Sequence, residues 1–170
     1  MTNLKLGDTE ALGELYERYK TQLFTFFLRT SGDRMASNDL LMNTFERLYK
    51  YRKSFKEDAA FRPWCFQIAN NLIKDYFKLR TKQSDINKVI ISDDEATDTF
   101  LEGETRSYDD LYKALNKLKP IDKRIITQYY LLEIPYSEIA NLENISVNTA
   151  RIRVCRALKQ LNGFMKKAQS

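Results

Sequence analysis

Apolar side chains return every three or four residues along almost the whole chain, and that period most narrows what it can become. Such stripes run over residues 9–30 (Leu12, Leu15, Tyr16, Tyr19, Leu23, Phe26, Phe27), 36–52 (Leu40, Leu41, Phe45, Leu48, Tyr49) and 61–80. Only 5 glycines and 3 prolines interrupt 170 residues, so few positions break a helix. The pattern predicts an all-α protein.

Punctuation divides it. Asp8 suits an N-cap, Ser31-Gly32-Asp33 a stop and turn, and Pro63 the first turn of the third helix, where its missing N–H has no intrahelical use. Residues 53–60 form a polar link. Residues 81–107 hold no sustained period and are rich in Asp, Glu, Ser and Thr, which reads as a flexible acidic linker with short helical pieces near Val89-Ile90-Ile91. Beyond it the period predicts helices over 109–118, 122–132, 137–142 and 147–164, with Pro120 and Pro135 at the joints. The expected architecture is two small helical domains, 1–80 and 108–170, joined by 81–107.

Charge follows the same division. The linker carries Lys82, Lys88 and Arg106 against seven acids, Asp85, Asp93, Asp94, Glu95, Asp98, Glu102 and Glu104. Lys and Arg outnumber Asp and Glu on both sides of it, within a net charge of +5. Two basic blocks on an acidic tether suit a polyanionic partner met at two places.

Several function classes fall away. With 0 histidines there is no His-based triad or His metal ligand, and no Gly-rich phosphate loop is present. Catalytic residues, metal ligands, cofactors and a small-molecule substrate are therefore not expected, and the chain does not read as an enzyme. Cys65 and Cys155 lie far apart on expected helices, as reduced thiols of a cytoplasmic protein would. No apolar run approaches a membrane span and no signal-peptide pattern opens the chain, so membrane insertion is not expected.

Two segments carry binding chemistry. Residues 137–142, the turn Glu143-Asn144-Ile145 and a longer helix capped by Ser146 have the layout of a helix-turn-helix, whose second helix enters the DNA major groove. At 100° per residue, Val147, Ala150, Val154, Ala157, Leu158 and Leu161 share an inner face. Asn148, Thr149, Ile152, Arg153, Arg156 and Lys159 face outward with Arg151 at the margin, a set suited to phosphates and base edges. In the helix over 61–80, Phe61, Trp64, Cys65, Ile68, Leu72 and Leu79 form one face, expected as core. Phe66, Asn70, Ile73 and Phe77 lie opposite, beside Gln67 and Lys74. That second face either stacks unpaired bases or packs Phe66 and Phe77 against another helix or the linker.

The run Phe61-Arg62-Pro63-Trp64-Cys65-Phe66-Gln67-Ile68-Ala69-Asn70-Asn71, continuing to Asp75 and Lys78, resembles region two of extracytoplasmic-function sigma factors. So does Asp39-Leu40-Leu41-Met42-Asn43-Thr44-Phe45 upstream. Tyr136-Ser137-Glu138-Ile139-Ala140 and Val147-Asn148-Thr149-Ala150-Arg151-Ile152-Arg153 resemble region four. The likeness spans both domains in the family's order.

The resemblance implies a bacterial, cytoplasmic alternative sigma factor that brings core RNA polymerase to promoter DNA. It implies that Asp39, Met42, Asn43, Phe45 and Glu46 dock on the polymerase β′ clamp, with the β flap as a second contact. It assigns Phe55, Lys56, Phe66, Asn70, Asn71, Lys74, Phe77 and Lys78 to the melted minus-10 element. The loop 53–60 would hold a flipped-out base, and Phe55 would help line its pocket. Asn148, Thr149, Arg151, Ile152, Arg153, Arg156 and Lys159 are assigned to the minus-35 element, and an anti-sigma factor is the implied regulator.

Six positions depart from the family pattern. Met42 and Asn43 stand for Gln and Glu, Cys65 for Leu, Asn70 for Arg, and Glu143-Asn144 for a small residue and Gly. Asn tolerates the left-handed conformation, so the turn is expected to survive. The competing readings are a helix-turn-helix regulator acting without polymerase, which leaves the 64–75 pattern without purpose, and a sigma-like interaction adaptor.

Overall fold

A computed structural model describes residues 5, 8–56, 59–87 and 107–168. Among them are seven α-helices and one 3-10 turn: α1 (Thr9–Ser31), α2 (Arg34–Lys50), the turn Arg52–Ser54, α3 (Phe61–Asn87), α4 (Ser107–Asn116), α5 (Pro120–Tyr130), α6 (Tyr136–Glu143) and α7 (Val147–Ala168). The all-α expectation holds. The chain divides into two units, Met1–Ala96 and Thr97–Ser170.

In the first unit the helix ends follow from local chemistry. The Asp8 carboxylate accepts from the Glu10 amide at 2.8 Å, satisfying one of the donors a helix start leaves over. Gly32, at φ 75°, ends α1 in the left-handed region and donates its N–H to the Leu28 carbonyl. Asp33 caps α2 through the Ala36 amide at 2.9 Å. α1 packs on α2, and α3 packs against both. Leu23, Phe26 and Phe27 from α1, Leu40, Leu41, Phe45 and Leu48 from α2, and Cys65, Phe66, Ala69, Leu72 and Ile73 from α3 make the core. Burial pushes the Cys65 thiol up to about 12, so it stays protonated and behaves as a small apolar group.

The structure corrects the expected faces of α3. Phe66 is 2% exposed, Asn70 1% and Ile73 0%, so the face read as outward is core. Leu79, read as core, is 66% exposed, and Phe61, Trp64, Ile68 and Phe77 are half-buried. Contact with two neighbouring helices widens the buried arc of α3 beyond a single stripe. Phe66 meets Phe26 edge-on at 6.3 Å, the packing alternative for that ring. α3 also continues past residue 80, since 81–87 hold neither Gly nor Pro. Residues 81–87 and 107 of the expected linker 81–107 are therefore helical, and the rest of that reading, with its helical pieces near Val89-Ile90-Ile91, falls on 88–106, outside the described residues.

In the second unit α7 packs against α4, α5 and α6, and α5 against α6. Ala114, Leu115 and Leu118 meet Ile126 of α5 and Ala157 and Leu161 of α7, with Leu111, Leu158, Phe164 and Met165 around them. Tyr129 at the end of α5 stacks on Tyr136 at the start of α6, centroids 4.5 Å apart. The joint between them holds Glu133 at φ 52°.

Candidate nucleic-acid interface

The α6–α7 turn closes as its residues predict. Asn144 sits at φ 55°, ψ 51°, the left-handed region glycine would otherwise supply. The Ile145 amide returns to the Ala140 carbonyl at 2.9 Å, and the Ser146 hydroxyl accepts from the Thr149 amide at 3.1 Å. α7 therefore starts with a satisfied cap and a fixed entry angle.

Ala150, Val154, Ala157 and Leu161 turn inward; Leu158 is half-buried, and Val147, expected inside, is exposed at the helix mouth. Asn148, Arg151, Ile152, Arg156 and Lys159 are exposed. Thr149 is half-buried, its hydroxyl 2.7 Å from that of Ser146. The Arg151 guanidinium lies 5.6 Å from the Tyr136 ring centroid, a contact that orients the cation while keeping its charge. Arg153 points aside, its Nη1 donating to Asp122 Oδ1 at 3.0 Å.

On the first unit, Asp39, Met42, Asn43 and Glu46 form an exposed stripe along α2, with Met42 59% exposed. Thr44 and Phe45 face the other way: the Thr44 hydroxyl donates to the Leu40 carbonyl at 2.7 Å, and Phe45 meets Tyr16 edge-on at 5.0 Å. Phe45 is a core residue here, because a phenyl ring at that position falls on the apolar side of α2. Along α3, Asn71 and Lys78 are exposed and Lys74 half-buried, with Asp75 among them. Asn71 Oδ1 accepts from Gln67 Nε2 at 3.2 Å. Lys56 is exposed, but Phe55 is buried against Trp64 at 5.0 Å and Phe61 at 6.3 Å. Phe55 thus ties the loop to α3, and with Phe66 and Asn70 it is not at the surface to meet a base.

The family model for Sigma-70 region 2 matches residues 15–83, and that for Sigma-70, region 4 matches residues 108–161. The chain is 28% identical over 159 residues to the ECF RNA polymerase sigma factor SigM of Bacillus subtilis, covering 90% of this chain and 94% of that protein. The chain belongs to the extracytoplasmic-function sigma factors. It is 26% identical to the ECF RNA polymerase sigma-E factor of Haemophilus influenzae, across 91% of this chain and 87% of that one. In fold it is similar to the sigma factor RpoE of Bartonella quintana, solved with the anti-sigma factor NepR (TM-score 0.75, 20% identity, 90% of this chain and 97% of that one). CnrH, solved with the cytosolic domain of CnrY, is similar at TM-score 0.71 and 20% identity, over 98% of this chain and 94% of that one.

The region 2 match spans α1–α3 and the region 4 match runs from α4 to the last inward leucine of α7. This sigma factor's region 4 also holds a buried polar group that the sequence reading missed. Arg124 of α5 donates from Nε and Nη2 to both carboxylate oxygens of Glu143, at 2.9 and 2.7 Å, and Gln128 Nε2 donates to Glu143 Oε1 at 2.9 Å. All three are buried. A signal existed: Glu143 falls on the apolar stripe of α6 with Ile139 and Ala140, and Arg124 and Gln128 are one turn apart on α5. A planar fork matches a carboxylate in two bonds, so the turn preceding α7 is locked to α5 in one orientation. Lys123 beside it is buried too, donating to Asn116 Oδ1, and burial lowers its pKa to about 8.

Proposed function

We propose that this chain is an alternative sigma factor that binds core RNA polymerase, recognises the minus-35 and minus-10 promoter elements and promotes opening of the duplex. The observation that carries the reading is the outward row of α7 behind a closed helix-turn-helix, in a chain with both sigma regions. Asn148, Thr149 and Ile152 are offered to base edges of the minus-35 element and Arg151, Arg156 and Lys159 to its phosphates.

The minus-10 role rests on surface residues of the first unit: Asn71, Lys74 and Lys78 of α3, Lys56 of the loop, and the half-buried Phe77. The exposed stripe Asp39, Met42, Asn43 and Glu46 is the proposed face for the β′ clamp, with the β flap met through the second unit. The mechanism is binding: holding unpaired bases favours the open duplex, and no covalent step is asked of this chain. The partners are promoter DNA, core polymerase and an anti-sigma factor, and the place of action is the bacterial cytoplasm. Among the described residues no helix is long and apolar enough to cross a membrane.

Run-off transcription with purified core polymerase and a promoter library tests the reading. Transcripts that require the protein and fall at least tenfold with Asn71→Ala are expected. Core binding without transcripts would replace it with an adaptor, and transcripts indifferent to Asn71→Ala would remove that residue from the minus-10 role.

A further inference from the structure

Arg153 differs from the other cations of α7. Its guanidinium reaches across to the first turn of α5, where Asp122 Oδ1 accepts from Nη1 at 3.0 Å. The pair is sheltered, the Asp122 side chain 15% exposed and that of Arg153 35%. Asp122 also lies at a helix start, where backbone N–H groups favour a carboxylate. Among the described residues, Arg151, Arg156 and Lys159 have no carboxylate partner.

Affinity for duplex DNA depends on net cations brought to phosphates, because each neutralised phosphate releases condensed counterions. A guanidinium already matched by a carboxylate brings no net charge, and a phosphate near it meets the carboxylate's repulsion. Taking the DNA-facing reading of α7 as given, we infer that Arg153 and Asp122 are positioning residues. They brace α7 against the start of α5, and Arg151, Arg156 and Lys159 alone supply the phosphate contacts. Arg153 is thereby removed from the minus-35 contacts that the family resemblance implied for it.

The test is the salt dependence of binding by the full chain to a short duplex DNA of mixed sequence, read by fluorescence anisotropy at increasing potassium chloride. Arg156→Ala should make the slope of log K against log salt shallower by about 0.9. Arg153→Ala should leave the slope unchanged, and Asp122→Asn, which frees the guanidinium without changing shape, should steepen it by about 0.9. If Arg153→Ala flattens the slope as much as Arg156→Ala, or Asp122→Asn leaves it unaltered, the inference falls while the DNA-facing reading stands. If neither Arg156→Ala nor Lys159→Ala changes the slope, the DNA-facing reading of α7 falls, and the inference with it.

Discussion

The two units hold together by different means. In the first, the buried side chains Thr30, Ser37 and Thr44 bond back to carbonyls of their own helix or its cap, Ser37 also meets Ser31 of α1 at 3.1 Å, and α1, α2 and α3 meet mainly through apolar surface, with Asn70 buried beside it. The second places the Arg124–Glu143–Gln128 group and a buried lysine among its helices. Apolar packing is non-directional and tolerates small adjustments of angle. A forked ion pair sets one geometry and penalises every other. The directional contact sits at the turn that aims α7, where angle matters most for a helix proposed to fit a DNA groove. Losing a ring should therefore damage the first unit, and losing one charge the second.

The largest expected effect is on that charge group. Glu143→Ala strands the Arg124 guanidinium in the interior and should cost the second unit about 3–5 kcal/mol. Combining Arg124→Met with Glu143→Leu should recover most of that loss, because an apolar pair of similar volume needs no desolvation. Denaturant unfolding followed separately in each unit checks both; an additive double variant would break the comparison.

Next comes Phe66→Ala, which empties the contact with Phe26 and should cost the first unit about 3–4 kcal/mol. The loss should be the same from pH 6 to pH 9, since no titrating partner is involved, and a pH-dependent loss would contradict an apolar origin.

The smallest effect is a gain. Lys123 is charged in both folded and unfolded chains below its folded pKa of about 8, so the full cost of burying its ammonium is present there. Between about 8 and its ordinary 10.5, only the unfolded chain keeps the proton, and stability rises with pH. Lys123→Met should therefore stabilise the second unit by about 3 kcal/mol at pH 7, with the advantage gone by pH 10.5. An increment that stays constant across that window would show that lysine burial is not its cause.

The helices were legible because the 3.6-residue period, the caps Asp8 and Ser146, the stop at Ser31-Gly32-Asp33, and the scarcity of Gly and Pro are local quantities. The outer face of α7 was legible for a related reason: arginine and lysine are costly to bury, so charge alone chooses the side. On α3 both candidate faces carry aromatic and aliphatic groups, and nothing local ranks Phe61, Trp64 and Ile68 above Phe66 and Ile73. The same ambiguity hid the burial of Phe55.

By itself, then, the sequence determined the all-α class, the helix-turn-helix with its left-handed Asn144, and the cationic row of α7. Only the tertiary structure decided which arc of α3 is core, that Glu143 receives Arg124, and that Arg153 faces Asp122. Those outcomes depend on which residues distant in sequence become neighbours, and helical periodicity carries no such information.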